Sequence, residues 1–173
     1  RYARNVVQTL QNEYGIKKVN MVGHSLGNTS IMYYLLQEAH NPNLPRLNKQ
    51  VSIGGHFDGL DFKQLPIAIR QPANLRVDNE GKPNKMNATY REMAKLRTLY
   101  PNKEIDVLNI IGNIGGNSDG IVKNASSLSL EYLVAPMAKS YRVVTITGKN
   151  AEHGQLTYNK QVEKQIINFL WLQ

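Results

Sequence analysis

The sequence predicts an α/β fold, a mostly parallel sheet flanked by helices. Three observations carry that expectation. Short apolar segments rich in β-branched residues alternate with stretches of helical periodicity, the segments stop at glycine or a Gly-rich loop, and no repeat or low-complexity tract divides the 173 residues. Such alternation gives parallel strands joined by helical crossovers, with both faces of the sheet covered.

The elements follow in order. Ala3, Val6, Val7, Leu10 and Tyr14 fall at i, i+3, i+4, i+7 and i+11, the stripe of an amphipathic helix, and Gly15 is placed for a left-handed cap. Val19-Asn20-Met21-Val22-Gly23 reads as a short strand, and Ile31, Met32, Leu35, Leu36 and Ala39 mark the helix that follows a tight turn. Further strands are expected at Val51-Ser52-Ile53, at Ile105 to Ile111 and at Tyr141 to Thr147. A last helix is expected from near Thr157, with Val162, Ile166, Ile167, Phe169 and Leu170 along one side. Between Phe57 and Lys103 the alternation breaks. Pro66, Pro72 and Pro83 surround an apolar patch, Leu65 to Ile69, and one helix is expected at Ala88 to Tyr100. An excursion of this length is long for a connection and is placed to cover a site.

Composition narrows the classes of function. Hydrophobic residues make up 41% and charged residues 20%, which suits one globular domain over residues 1–173. No run approaches 18 consecutive apolar residues, and Arg1-Tyr2-Ala3-Arg4-Asn5 does not read as a signal peptide. The absence of cysteine excludes disulfides and thiolate chemistry; it fits an oxidising exterior and leaves a cytosolic setting open. Lys and Arg number 21 against 13 Asp and Glu, a net charge of +8 that favours anionic contacts. The basic residues are scattered and no nucleic-acid reader motif occurs, so no nucleic acid is expected as a partner. Arg91, Lys95 and Arg97 are candidates for contact with an anionic head group or wall polymer.

The chemistry centres on Gly23-His24-Ser25-Leu26-Gly27, a G-x-S-x-G pattern between a strand and a helix. A serine on such a turn is held in strained geometry with its hydroxyl projecting above the sheet edge. The Leu26 N–H, in the first helical turn, has no intrahelical acceptor and can donate to a developing oxyanion. The pattern alone fits equally a Gly-rich turn whose serine caps the helix, so partners decide, since a hydroxyl needs a base and the base an orienting acid. Of four histidines, His24 lies in the turn pointing away from the serine, His40 ends a helix and His56 follows a strand. His153 sits in a loop between the last strand and the last helix, free to reach over the strand ends. Asp119, in Gly115-Gly116-Asn117-Ser118-Asp119-Gly120, follows the strand Ile105 to Ile111 on the same rim. Asp58, Asp61, Asp78, Asp106 and Glu152 are placed less favourably, and an Asx-type turn is the other use of Asp119.

The order nucleophile, acid, histidine in Ser25, Asp119 and His153, each after a strand, resembles the α/β-hydrolase superfamily over nearly the whole chain. More narrowly, Gly23-His24-Ser25-Leu26-Gly27-Asn28, Ser118-Asp119-Gly120-Ile121-Val122 and His153-Gly154-Gln155-Leu156 resemble a family of Gram-positive bacterial α/β-hydrolases described as cell-surface hydrolases of unknown function. The resemblance implies an extracellular or cell-surface location, a cap at 57–103, and Phe57 as a residue lining the substrate pocket; His24, like His40 and His56, is read from its position as structural or a pocket wall, and as a pocket wall it would contact substrate. Against the family pattern the chain starts at the helix before the nucleophile strand. The expectation is therefore an N-terminally truncated domain without the loop that carries the second oxyanion N–H, a loss costing about 10²- to 10³-fold in turnover. The nucleophile strand would then carry an unpaired edge.

Other chemistries have little support. Gly112-Asn113-Ile114-Gly115-Gly116 lacks the Lys-Ser/Thr of a phosphate-binding loop, one carboxylate near Asn117 is a poor calcium site, and no His/Cys cluster favours zinc. The expected function is a serine hydrolase of the esterase/lipase type, acting on small or lipid-like carboxylic esters through an acyl-enzyme, with no metal or organic cofactor. The same triad would serve a thioesterase or acyltransferase, and a ligand-binding protein on the same fold is the alternative of a different class. Leu65 to Ile69, Met86, Met93, Leu96 and Leu99 either form an acyl-binding cover or pack the excursion onto the core.

Overall fold

The computed structural model describes residues 2–38 and 41–172. Helix α1 (Tyr2–Tyr14) leads to β1 (Lys18–His24), α2 (Leu26–Glu38) and β2 (Arg46–Ile53). The excursion carries α3 (Ala88–Met93) and α4 (Leu96–Leu99) before β3 (Ile105–Asn113). Two short helices, α5 (Asn124–Leu128) and α6 (Leu130–Val134), precede β4 (Ala138–Thr147). Two 3-10 turns, Lys149–Ala151 and Gln155–Tyr158, then lead into α7 (Lys160–Trp171). His40 and Ala39 of the expected second helix lie outside the described residues.

The four strands form one sheet in the order β1-β2-β3-β4, and every neighbouring pair is parallel. The register sets Gly23 beside Ser52, Ser52 beside Asn109, and Asn109 beside Val143. All four C-terminal strand ends therefore open on one rim, where the loops after β1, β2, β3 and β4 meet.

Side-chain alternation along β3 divides the core. Ile105 and Val107 pack with Met32 and Leu35 of α2, Tyr90 and Met93 of α3, Leu96 of α4 and Leu133 of α6. Leu108 and Ile110 face the other way, with Val51, Ile53, Ile146 and Val162 and Phe169 of α7. Burying each such side chain contributes about 1.5–3 kcal/mol. The expected stripe on α1 is only partly covered: Val7 is buried, whereas Val6 and Tyr14 are exposed.

Three elements differ from the sequence expectation. Strand β2 begins at Arg46, earlier than the apolar run at Val51, because its first residues already pair with β1, from Lys18 opposite Arg46 to Met21 opposite Gln50, and Gln50 is a polar side chain at a fully buried position. The single helix expected at Ala88 to Tyr100 is broken. The N–H groups of Lys95, Arg97 and Thr98 bond three residues back, a 3-10-like tightening that eclipses residues at i and i+3 and turns Met93 and Leu96 together into the core. The apolar residues weighed as an acyl-binding cover or as packing divide likewise, with Met93 and Leu96 fully buried in the core and Ile67 and Ile69 of the patch exposed. No described helix is long and apolar enough to cross a membrane.

Candidate active site

Strand β1 ends at His24 and α2 starts at Leu26, so Ser25 alone makes the turn, at φ 51°. A non-glycine residue in this left-handed region costs about 1–2 kcal/mol, so the surroundings must hold it. The Ser25 N–H donates to Ile53 O at 3.0 Å and the Asn28 N–H donates to Ser25 O at 3.1 Å. The buried Asn28 side chain adds two bonds from Nδ2, to Ser25 O and to Ile53 O, each 3.1 Å. Four hydrogen bonds at about 0.5–1.5 kcal/mol each offset the strain. Gly23 makes room for the clamp, since a Cβ there would stand 2.9 Å from both Asn28 N and Asn28 Oδ1.

Asp119 is held in a knotted loop, with bridges pairing Gly115 with Ser118 and Ser118 with Lys123. Its Oδ1 accepts from the N–H groups of Ile121 at 3.0 Å and Val122 at 2.7 Å. Oδ2 is left for His153 Nδ1, at 2.7 Å. His153 Nε2 lies 2.9 Å from Ser25 Oγ. A carboxylate accepts, so the Nδ1 proton points at Asp119 and the free Nε2 lone pair faces the serine hydroxyl. Asp119 is 2% exposed and Ser25 is half-buried, so the carboxylate is shielded while the serine is reachable from solvent. The Leu26 N–H finds no acceptor among the described residues, and its side chain is 66% exposed beside the serine.

The remaining candidates are placed differently. His24 Nε2 lies 3.0 Å from the His153 carbonyl, so its polar atom is turned toward the protein. Phe57 is 1% exposed inside the larger core cluster and offers no open wall to a ligand. Burial pushes the His56 imidazole below its ordinary value. Asp58 is fully buried, and its Oδ1 accepts from the Asn87 N–H at 2.9 Å. Burial, opposed by that bond, raises its pKa to about 7. Asp78 closes a turn onto the N–H groups of Glu80 and Lys82, and Asp106 accepts from Ser140.

The basic trio of the excursion is engaged. Arg91 donates to Met86 O, Lys95 pairs with Glu92 at 2.6 Å, and Arg97 lies 3.8 Å over the Tyr132 ring. A cavity of about 510 Å³ lies at the far end of the sheet, lined by Tyr34, Leu44, Arg46, Tyr100, Ile105 and Met137, and contains none of the three aligned residues. Asn28 is the residue whose part in the site sequence reasoning missed. Its signal was its place in the first turn of α2, three residues after the serine.

A strand-serine-helix turn on a parallel sheet, with an acid and a histidine loop on the same rim, is the architecture of the α/β-hydrolases. The chain belongs to the family described as "Alpha/beta hydrolase of unknown function (DUF915)", whose model matches residues 1–173. No curated protein matches it. Among solved structures it is similar to the product of the lin2722 gene of Listeria innocua, at 25% identity and a TM-score of 0.81, over 98% of this chain and 64% of that one. It is also similar to a protein from Lactobacillus plantarum WCFS1 named "putative cell surface hydrolase", at 20% identity and a TM-score of 0.71, over 99% of this chain and 61% of that one. Carboxylesterase CesB (YbfK) from Bacillus subtilis shares the fold at 14% identity and a TM-score of 0.51, over 95% of this chain and 64% of its own. The chain thus spans under two thirds of the length of these relatives.

Proposed function

We propose that the protein hydrolyses carboxylic esters through a covalent acyl-enzyme. The observation that carries this reading is the hydrogen-bonded line from Ser25 Oγ through the His153 imidazole to Asp119, built on a serine at positive φ. Ser25 Oγ attacks the ester carbonyl as its proton passes to His153 Nε2, and Asp119 stabilises the imidazolium that forms. The Leu26 N–H donates to the oxyanion. As the tetrahedral intermediate collapses, the alcohol leaves with the proton from His153. A water then attacks the acyl group and gives a proton to His153, and as the acyl–oxygen bond to Ser25 breaks the imidazolium returns that proton to Ser25 Oγ, releasing the acid.

The carboxylesterase fold neighbour supports the ester as substrate class, and the half-buried, reachable serine suits a small-molecule or lipid-like ester. The Lactobacillus relative's name supports a cell-surface location. A fluorophosphonate probe tests the chemistry. Labelling is expected at Ser25, absent in Ser25→Ala and sharply reduced in His153→Ala. Equal, negligible labelling of all three would instead favour a ligand-binding role without turnover.

A further inference from the structure

We propose that His24 is a positioning residue, whose imidazole N–H holds the His153 carbonyl and so keeps the His153 ring in line between Asp119 and Ser25. Its effect on catalysis rests on the hydrolase reading above, whereas the contact itself does not.

Strand alternation brings the two histidines together. Successive side chains on β1 point to opposite faces, and the Gly23 position faces Asn28 under α2. His24 therefore faces the other side of the sheet. There Ala151 and Leu156, which bracket His153 in sequence, pack with α7 in the second core cluster. The His24 and His153 ring centroids are 4.8 Å apart, tilted by 36°. A carbonyl only accepts, so the 3.0 Å contact from Nε2 fixes the His24 proton on Nε2.

What else restrains His153 shows why this contact matters. Its backbone N–H donates to Asp119 O at 2.9 Å, and both ring nitrogens are engaged by Asp119 and Ser25. All of these act on the ring or on the N-terminal side of the residue. On the C-terminal side the chain passes into Gly154, where an added Cβ would meet nothing within 4 Å. Among the described residues the His24 bond is the only hydrogen bond to the His153 carbonyl. Without it the His153 carbonyl itself is unheld; the turn that follows keeps its own bonds, from the Gln155 and Leu156 N–H groups to Glu152 O and from Thr157 Oγ1 to Gly154 O. Misplacement of the base by about 1 Å can cost about 100-fold in rate. Burial also pushes the His24 imidazole below its ordinary value, which favours the neutral ring beside His153. Because its donor is turned inward, His24 acts on turnover and not on substrate affinity.

His24→Phe and His24→Gln test this, since glutamine presents an amide N–H near the Nε2 position and phenylalanine keeps a ring without a donor. With a nitrophenyl ester, His24→Phe is expected to lower kcat about 10- to 100-fold, with KM within about twofold, and His24→Gln to regain most of the loss. If His24→Phe melts early, His24→Ala takes its place in the comparison. A raised KM at unchanged kcat would assign His24 to the substrate, and identical kinetics in all variants would remove its role.

Proton NMR supplies a readout that needs no turnover. The downfield His153 Nδ1–H, held on Asp119, is expected in the wild type and in His24→Gln and should be lost from His24→Phe. If the wild type shows no Ser25-dependent turnover, the hydrolase reading fails and this resonance decides alone. Its loss in His24→Phe supports the positioning role, and its persistence there overturns it.

Discussion

Asp119 and His153 are joined twice, by the 2.7 Å contact from Oδ2 to Nδ1 and by the His153 N–H donated to the Asp119 carbonyl at 2.9 Å. The side-chain bond sets the tautomer and the backbone bond sets the distance. Together with the His24 bond to the His153 carbonyl, these two bonds orient the imidazole before any substrate arrives, and electrostatic preorganisation of this kind is where much of an enzyme's advantage over water originates.

The first prediction separates the two bonds. Asp119→Asn is expected to keep its side-chain oxygen on the Ile121 and Val122 N–H groups, turning its amide donor toward His153 Nδ1. Two donors cannot face each other, so the imidazole proton moves to Nε2 and the base facing Ser25 is lost. Ester turnover should fall by about 10⁴-fold while the thermal melt stays close to wild type. Turnover close to wild type would refute the role given to this carboxylate.

Asn28→Ala removes both side-chain bonds of the clamp. Ser25 O keeps the Asn28 N–H and Ile53 O keeps the Ser25 N–H, so the protein should fold with a loss of about 1–3 kcal/mol. Fluorophosphonate labelling of Ser25 should slow by about tenfold or more as its backbone relaxes. Asn28→Asp should do worse, because it sets an acceptor against two carbonyls. The labelling rate of the folded fraction, with denaturant curves for both variants, checks this.

Asp58 predicts how stability changes with pH. Its folded pKa of about 7 lies above the ordinary 3.8, so the folded state holds this proton more tightly than the unfolded chain does. The stability this confers is complete below pH 3.8 and lost as pH rises through about 7, on the order of 4 kcal/mol across the window. Asp58→Asn keeps an acceptor for the Asn87 N–H and cannot ionise, so its stability should be flatter from pH 4 to 8 and exceed wild type at the top of that range. Urea unfolding at several pH values reads this out, and parallel wild-type and variant curves would contradict it.

Gly112 sits where the end of β3 meets the histidine loop. A Cβ at this position would lie 2.2 Å from Ala151 O and 2.8 Å from Asp119 Cβ, both on rigid parts of the site. Gly112→Ala must therefore push Asp119 and the His153 loop apart. The expected cost is about 1–3 kcal/mol of stability, with activity per folded molecule falling further than the melt alone explains. Normal activity with a normal melt would show that the loops yield without strain.

Much of this architecture was legible because the buried runs of the central strands β2 and β3 are largely apolar and all four strands stop abruptly. Glycine marks each of the four strand ends, and Ser25, Asp119 and His153 lie within a few residues of those marks. What was hidden has a common cause, polar residues in buried places. Gln50 is fully buried within β2, which obscures that strand's first half among Arg46, Asn48 and Lys49. Helices α5 and α6 carry no apolar stripe that fixes their bounds, because Ser126 and Ser127 are buried with hydroxyls donating to Gly59 O and Gly55 O. The contact between His24 and His153 spans 129 residues, a separation at which no local periodicity speaks.

The register of β2 on β3, from Lys49 opposite Asp106 to Ile53 opposite Ile110, is made by the strands themselves. The long stretch between them leaves the sheet and returns at the adjacent strand, touching no pairing of the other two. The exposed part of that stretch, around Ile67 and Ile69, can consequently vary without disturbing the line of Ser25, His153 and Asp119. What would have to survive each revision is the part packed on the rest of the protein: Phe57, Tyr90, Met93 and Leu96 in the core, the Asp58 N–H on Ser126 Oγ, and the Gly59 and Gly55 carbonyls held by the Ser126 and Ser127 hydroxyls.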